Sequence, residues 1–188
     1  MKNLSIVLLG FFVVIFGWKF AHADEYEIDY AQSTIGFQTQ HTGNDVNGVI
    51  GKWHGDITFS AQELAASAVT AVFDMDSAKT GDKIFDGTLP QTDWFDVKKH
   101  PQANFKSVSF EQAEQGGFIL RGSFTLKEIT NDVVIPFTLV EEGDNKVRAK
   151  GTFTLNRLDY ALGQVADPKA AWVDENVTVS FDIVATQL

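Results

Sequence analysis

Cysteine is absent from all 188 residues. That removes disulfides, cysteine nucleophiles, thiolate metal sites and lipid attachment through a cysteine, and it leaves the hydrophobic core alone to hold the chain together. Motifs for metal or nucleophilic chemistry are equally scarce. The histidines His41, His54 and His100 form no H-x-x-H or H-E-x-x-H pattern, so each reads as a solvent-exposed loop histidine rather than a metal ligand. Ser33, Ser77, Ser107, Ser109 and Ser123 lack a G-x-S-x-G setting. The paired carboxylates Glu141-Glu142 and Asp174-Glu175 fall in turn-like segments, where solvated charge is the ordinary explanation. An enzymatic role has little support from these residues.

Positive charge is also in short supply. Beyond residue 23 the chain has 13 basic against 25 acidic residues, a formal charge of −12. Bulk charge of that sign excludes nucleic acid as a partner and excludes electrostatic adhesion to anionic membranes, so any lipid contact has to be made through a pocket. Long apolar runs are confined to the N-terminus. Lys2 precedes an apolar run over residues 4–16, and Ala21-His22-Ala23 forms an A-x-A site. This is the layout of a cleaved signal peptide over residues 1–23, with an exported mature chain of 165 residues starting at Asp24. An uncleaved anchor would have to work at the short end of the about 17–25 residues that span a bilayer, and Lys19 and the A-x-A site fit processing better.

What the mature chain does have is alternation. Tyr26 and Ile28, then Ile35, Phe37 and Thr39, then Val46, Gly48 and Ile50 keep a period of two, which places one set of side chains on each face of a sheet. Gly51-Lys52 shifts the phase, as a bulge or barrel corner does, before Trp53, Gly55, Ile57 and Phe59 resume it. Residues 61–67 are alanine-rich and fit one helical turn. Further strands follow over residues 69–75, 105–110, 118–126, 133–139, 147–155 and 177–185, with turn signals at Gly116-Gly117 and at Glu142-Gly143-Asp144-Asn145. No helical period of about 10–15 residues separates them, which excludes a parallel α/β fold and favours antiparallel pairing. The expected fold is all-β: an antiparallel barrel of about eight strands, one domain over residues 24–188, with Phe37, Phe59, Phe73, Phe124, Phe137, Phe153 and Phe181 pointing inward. Composition leaves a solid core and a ligand cavity equally open, because aromatic-rich interiors serve both.

Residues 79–107 break the rhythm with aromatics, two prolines and clustered charge. They are expected to cross one end of the barrel, with a short helix or turn in residues 86–94 that Pro90 starts or interrupts. Pro101 should end the crossing and hold His100 extended, while Phe85, Trp94 and Phe95 cap the interior.

These residues carry a recognisable pattern. Ile28-Asp29 with Ser33, Ile35 and Phe37 is followed by Val46, Gly48, Ile50, Gly55, Ile57 and Phe59. Next come Ser77, Thr80-Gly81, Asp86, Leu89, Asp93-Trp94-Phe95-Asp96-Val97, His100-Pro101, Ala103, Phe105 and Ser107. Then follow Gly122, residues 124–126, Ile129-Thr130, Val134 and Pro136-Phe137, and last Gly151, Leu155, Arg157, Asp159-Tyr160 and Gly163. In this order, over residues 26–185, the chain resembles the YceI-like family of exported, lipocalin-like bacterial proteins. It departs from the family pattern at Gln32-Ser33, where many members have a histidine, and at Lys127-Glu128-Ile129, where a glycine is usual before the threonine.

The resemblance implies a lipocalin-like β-barrel in the periplasm whose hydrophobic interior holds a long isoprenoid lipid: a quinone, a prenyl alcohol or a prenyl phosphate. It implies no cofactor other than that bound lipid, with a transient inner-membrane or cytochrome b-type partner and homodimerisation as further family expectations. The expected ligand-lining residues are Phe37, Phe59, Phe73, Trp94, Phe124, Phe137, Phe153, Arg157, Tyr160 and Phe181. At the mouth, Arg157, Asp159, Tyr160, Asp86, Trp94 and Asp96 are candidates for a head group. Arg157 suits a carbonyl or phosphate, but a structural ion pair with Asp159, Asp86 or Asp96 is the favoured reading of it. The rival readings are a stress-associated periplasmic interaction protein with a solid core and, with less support, a hydrolase.

Overall fold

The computed structural model describes residues 22–188. The expected leader therefore lies, but for its last two residues, outside the described residues. The alternating runs form eleven strands: β1 (Asp24–Ile28), β2 (Thr34–His41), β3 (Asn44–Ile50), β4 (Trp53–Phe59), β5 (Ala68–Asp74), β6 (Ala78–Lys79), β7 (Gln102–Gln112), β8 (Phe118–Leu126), β9 (Ile129–Gly143), β10 (Lys146–Asn156) and β11 (Asn176–Gln187). The one α-helix among the described residues is α1 (Lys83–Thr88), and a single 3-10 turn, Leu64–Ala66, occupies the alanine-rich segment.

All pairings are antiparallel, and β1, β4, β5, β7, β8, β9, β10 and β11 close into a ring through β11 and β1. The other three strands belong to the same wall. β11 pairs with β1 through residues 185–187 and with β2 through residues 178–182, so β1 and β2 are two halves of one wall strand interrupted at residues 29–33. β3 and β4 are likewise one strand broken at Gly51-Lys52, the phase shift seen in the sequence, and β5 and β6 are one strand broken at Met75–Ser77. The barrel thus has eight wall strands in simple up-and-down order, the number whose interior can hold one small ligand.

Tight turns join the wall strands at residues that accept positive φ. Gly143, Asp144 and Asn145 form one such turn. Lys127 (φ 49°) and Glu128 (φ 63°) form another, a conformation that costs a side-chain-bearing residue about 1–2 kcal/mol. Lys127 recovers part of this cost by donating its ammonium to the carbonyls of Thr92 and Ala161.

Two segments, not one, cross the same end of the barrel. The first runs from β6 to β7. Its helix starts earlier than the sequence suggests, because Asp82 caps it by accepting from the Ile84 and Phe85 amides; Pro90 lies beyond the helix and neither starts nor interrupts it. The second crossing, residues 157–175 between β10 and β11, has no hydrophobic period, and its sequence marks the head-group candidates Arg157, Asp159 and Tyr160 without indicating a second cover. It is wound around Arg157, which is 1% exposed. Nε donates to the Asp174 carbonyl (3.1 Å), one terminal nitrogen to Leu162 (2.6 Å), and the other to Val173 (2.8 Å) and to the Asp167 carbonyl (3.1 Å) and carboxylate (3.0 Å). The partner carboxylate is Asp167, and neither Asp159, Asp86 nor Asp96 takes that place. Asp167 succeeds because it also accepts the amides of Ala171, Trp172 and Val173, a closed loop of partners that a carboxylate on another element could not complete. Asp93 ties the crossings together: its carboxylate accepts from Val165 and Ala166 and its carbonyl from Gly163.

The Val173 amide, followed by those of Trp172 and Ala171 and by the Arg157 charge, holds Asp167 below the usual carboxylate range against the opposing effect of burial. A depressed native pKa stabilises the fold fully above the unfolded value of about 3.9 and ceases to do so as the pH falls through the native value. Melting temperature should therefore drop on the acid side of pH 4, and Asp167→Asn should melt lower at neutral pH while losing part of that acid-side decline. Replacing Arg157 by Met leaves the Asp167 carboxylate and four carbonyls without their donor. Urea unfolding should register a loss of about 3–5 kcal/mol, the usual result of breaking one half of a buried ion pair.

Candidate functional site

The eight wall strands enclose a cavity of about 280 Å³ that runs from Tyr26, Leu139 and Val147 toward one end to Trp94, Phe95, Tyr160 and Leu162 under the two crossings. The atoms facing it are almost all carbon. Packed apolar residues form two clusters. One lies under the crossings around Met75, Phe95, Leu126 and Tyr160; the other lies around Phe59, Phe105, Phe110 and Ile135; Phe73, Phe124 and Leu155 touch both. Between them the rings do not close up. Phe37, Phe73, Phe124, Phe137, Phe153 and Phe181 line the interior yet remain only half-buried, which is what rings facing a void look like.

Glycines on the same inner face help to keep that void open. Phe37 pairs across strands with Gly48 and Phe181 with Gly151, and each ring lies over its glycine: a Cβ on Gly48 would come 2.1 Å from Phe37 Cζ, and one on Gly151 would come 2.6 Å from Phe181 Cζ. With no side chain opposite, these rings lie along the wall instead of standing out into the middle. Edge-to-face contacts join others, Phe73 with Phe124 and Phe124 with Tyr160, geometries that aromatic quadrupoles favour.

All ten residues expected to face a ligand lie on this cavity wall: Phe37, Phe59, Phe73, Trp94, Phe124, Phe137, Phe153, Arg157, Tyr160 and Phe181. Their polar groups are not turned to it. The Arg157 guanidinium is committed to the carbonyls and carboxylate described above, with the Trp94 ring 5.7 Å from it. The Tyr160 hydroxyl is buried without a hydrogen-bond partner, and burial foremost pushes its pKa up. The remaining head-group candidates are elsewhere. Asp86 accepts from the amide and hydroxyl of Thr80, and the Thr80 amide foremost holds it below the usual carboxylate range. Asp96 is buried in a left-handed turn beside Lys99, and Asp159 is exposed. None of these three lines the cavity. Phe85 does not cap it either, and packs edge-to-face on His41 at 5.3 Å. Two histidines differ from the loop positions expected: His41 ends β2 half-buried and His54, though exposed, lies within β4; His100 is in the loop before β7, half-buried and 3.8 Å from Glu128. Among the described residues no three histidine, aspartate or glutamate side chains converge as a metal site would require.

Sequence reasoning missed Trp53, Phe105, Phe110 and Leu162 as wall residues. Phe105 and Phe110 are an odd number of residues apart and cannot share a face of a regular strand. They do so because the pairing of β7 with β8 slips between Ser107 and Ser109, which also turns Val108 out to solvent, 75% exposed.

Residues 26–185 match the YceI-like domain. A UPF0312 protein of Shewanella sp. (strain MR-7) is 27% identical over 186 residues, covering 95% of this chain and 96% of its own. One of Pseudomonas syringae pv. tomato is 26% identical over 185 residues, covering 94% and 95%. Among solved structures, BcnA of Burkholderia cenocepacia superposes with a TM-score of 0.80 at 24% identity, over 85% of this chain and 100% of its own. A polyisoprenoid-binding domain from Saccharophagus degradans does so with a TM-score of 0.67 at 12% identity, over 89% and 100%; identities this low speak for the shared barrel alone. The domain match takes in all eight wall strands, and the chain belongs to the YceI-like family.

Proposed function

We propose that this protein is a periplasmic binding protein that holds the hydrocarbon chain of an isoprenoid lipid inside the barrel and performs no turnover. The observation that carries the reading is the almost wholly carbon-lined cavity inside the barrel: a void that offers almost no polar partner selects an apolar occupant by default. The polyisoprenoid-binding domain of Saccharophagus degradans, which shares the barrel, supports the isoprenoid class, and the leader-like N-terminus supports export.

The size of the void sets the scale of the interaction. At about 280 Å³ it is nearly twice the apolar cavity of about 150 Å³ that accepts benzene, so roughly a dozen carbons, or two isoprene units, fit without rearrangement. At about 0.8 kcal/mol per buried CH₂ those units contribute about 8 kcal/mol before the cost of immobilising the chain. Longer chains gain proportionally more once the half-buried rings of Phe73 and Phe124 turn aside, and submicromolar binding requires such a gain. A carrier of this kind loads from a bilayer, and a membrane protein on the periplasmic side is the natural donor or acceptor.

Organic extraction of the purified protein followed by mass spectrometry is expected to release an isoprenoid molecule in near-stoichiometric amount; protein that is empty and takes up no added prenyl alcohol would rule the carrier out. Ala149 lies on the cavity wall, so Ala149→Phe fills the void from within. Lipid retention should fall at least about tenfold, the loss expected when a buried chain segment worth about 1.4 kcal/mol is displaced, while thermal stability holds or rises. Unchanged retention would place the lipid elsewhere.

A further inference from the structure

The carbon-lined cavity accounts for a hydrocarbon chain and leaves its polar end without a partner. The barrel wall has one place where such an end can leave. Pairing between the first two wall strands ends at Tyr26 with Ile57 and resumes at Gly36 with Val49. Between these pairs residues 27–35 and 50–56 face each other without a described ladder. The first strand loops outward there at residues 29–33, and the second is broken at Gly51-Lys52. A hydrogen bond from the Gly55 amide to the Tyr30 hydroxyl (3.3 Å) and an edge-to-face contact between Tyr30 and Trp53 (4.9 Å) cross the gap. Outside it lies a cleft of about 570 Å³ lined by Tyr30, Ser33, Thr34, Gly51 and Lys52 among others, and Ile50 and Trp53 line both this cleft and the interior.

We infer that this lateral gap is the head-group site: the hydrocarbon chain lies in the barrel and its polar end emerges between Tyr30 and Trp53 into the cleft. The inference rests on the lipid reading above. The chemistry of the gap favours an uncharged planar ring of the quinone or phenol class. Two aromatic side chains offer faces and edges to a ring, and Lys52 and Thr34 can donate to ring oxygens. A phosphate would meet a single ammonium, that of Lys52, among the residues lining the cleft, which is too little positive charge to favour a dianion. Tyr30 is 47% exposed and is held by that one hydrogen bond, so it can swing out at small cost and let the ring pass. The two interruptions that part the wall then have a purpose, since a continuous ladder would seal this side.

The test uses the mature protein and three probes sharing a two-isoprene chain, which the void accommodates: a quinone, the alcohol and the monophosphate. The variant Trp94→Phe/Trp172→Phe leaves Trp53 as the sole tryptophan of the mature chain, so its emission reports directly on the gap. The quinone is expected to quench Trp53 and to bind about tenfold more tightly than the alcohol, with the phosphate no tighter than the alcohol. Tyr30→Ala and Lys52→Glu, both at exposed positions, should narrow the gap between quinone and alcohol in the otherwise native protein and leave alcohol binding unchanged, which keeps the test sound should the double tryptophan variant fold poorly. Equal binding of quinone and alcohol with unquenched Trp53 would overturn the lateral site while leaving the barrel a lipid carrier. Tightest binding of the phosphate, abolished by Lys52→Glu, would overturn the uncharged ring. Binding of none of the probes would overturn the lipid reading and this inference with it.

Discussion

Every feature of the interior depends on β11 satisfying both of its edges. One edge pairs with β10 along eleven residues; the other is divided between β1 and β2. Unpaired backbone is costly wherever water is excluded, so this last strand must find the first, and the barrel closes. Because the partner on the second edge comes in two pieces, closure carries a discontinuity with it. The outward loop at residues 29–33 and the break at Gly51-Lys52 are local features of the chain, yet together they part the wall at a single place.

The Arg157 knot shows how a polar group can be buried for shape rather than for a ligand. Its three nitrogens reach Leu162, Asp167, Val173 and Asp174, which gather a segment of irregular chain into a cover over one barrel end. An apolar residue could fill the same volume and could not draw four separated points of the chain to one centre. Trp94 from the first crossing packs on this centre and borders Gly163, so both covers share one support. A group so fully engaged has little left to offer a ligand, and the carbon-only cavity beneath it follows from that commitment.

Shape and chemistry then divide the recognition problem. On the lipid reading the cavity selects by apolarity, because rings lying over Gly48 and Gly151 line a void that exposes almost no polar atom. On that same reading, discrimination among head groups falls to residues outside the cavity. Such a separation lets chain length and head-group identity be tuned by different residues, and it removes the need for a buried polar anchor with its desolvation cost.

Much of the barrel was legible in the residues themselves. Alternation located the strands from Tyr26 to Ala185, turn residues located the hairpins at Gly116-Gly117 and at residues 142–145, and the inward phase of seven phenylalanines held on the cavity wall. Phe105 and Phe110 escaped because a register slip between Ser107 and Ser109 reverses the phase midway, and a slip is a property of two strands together. Asp167 escaped as the partner of Arg157 for a related reason. It lies ten residues away in a segment without periodicity, and only the folded loop brings its carboxylate and the amides of Ala171, Trp172 and Val173 to one point. Side-chain alternation is a local consequence of the extended backbone, so the residues alone suffice for the period of the strands and for a wall with phenylalanine inside. The void in the interior, the full engagement of its arginine and the interruption of the ladder at one side emerge from the folded barrel. Each of these depends on which residues stand opposite one another once the ring has closed.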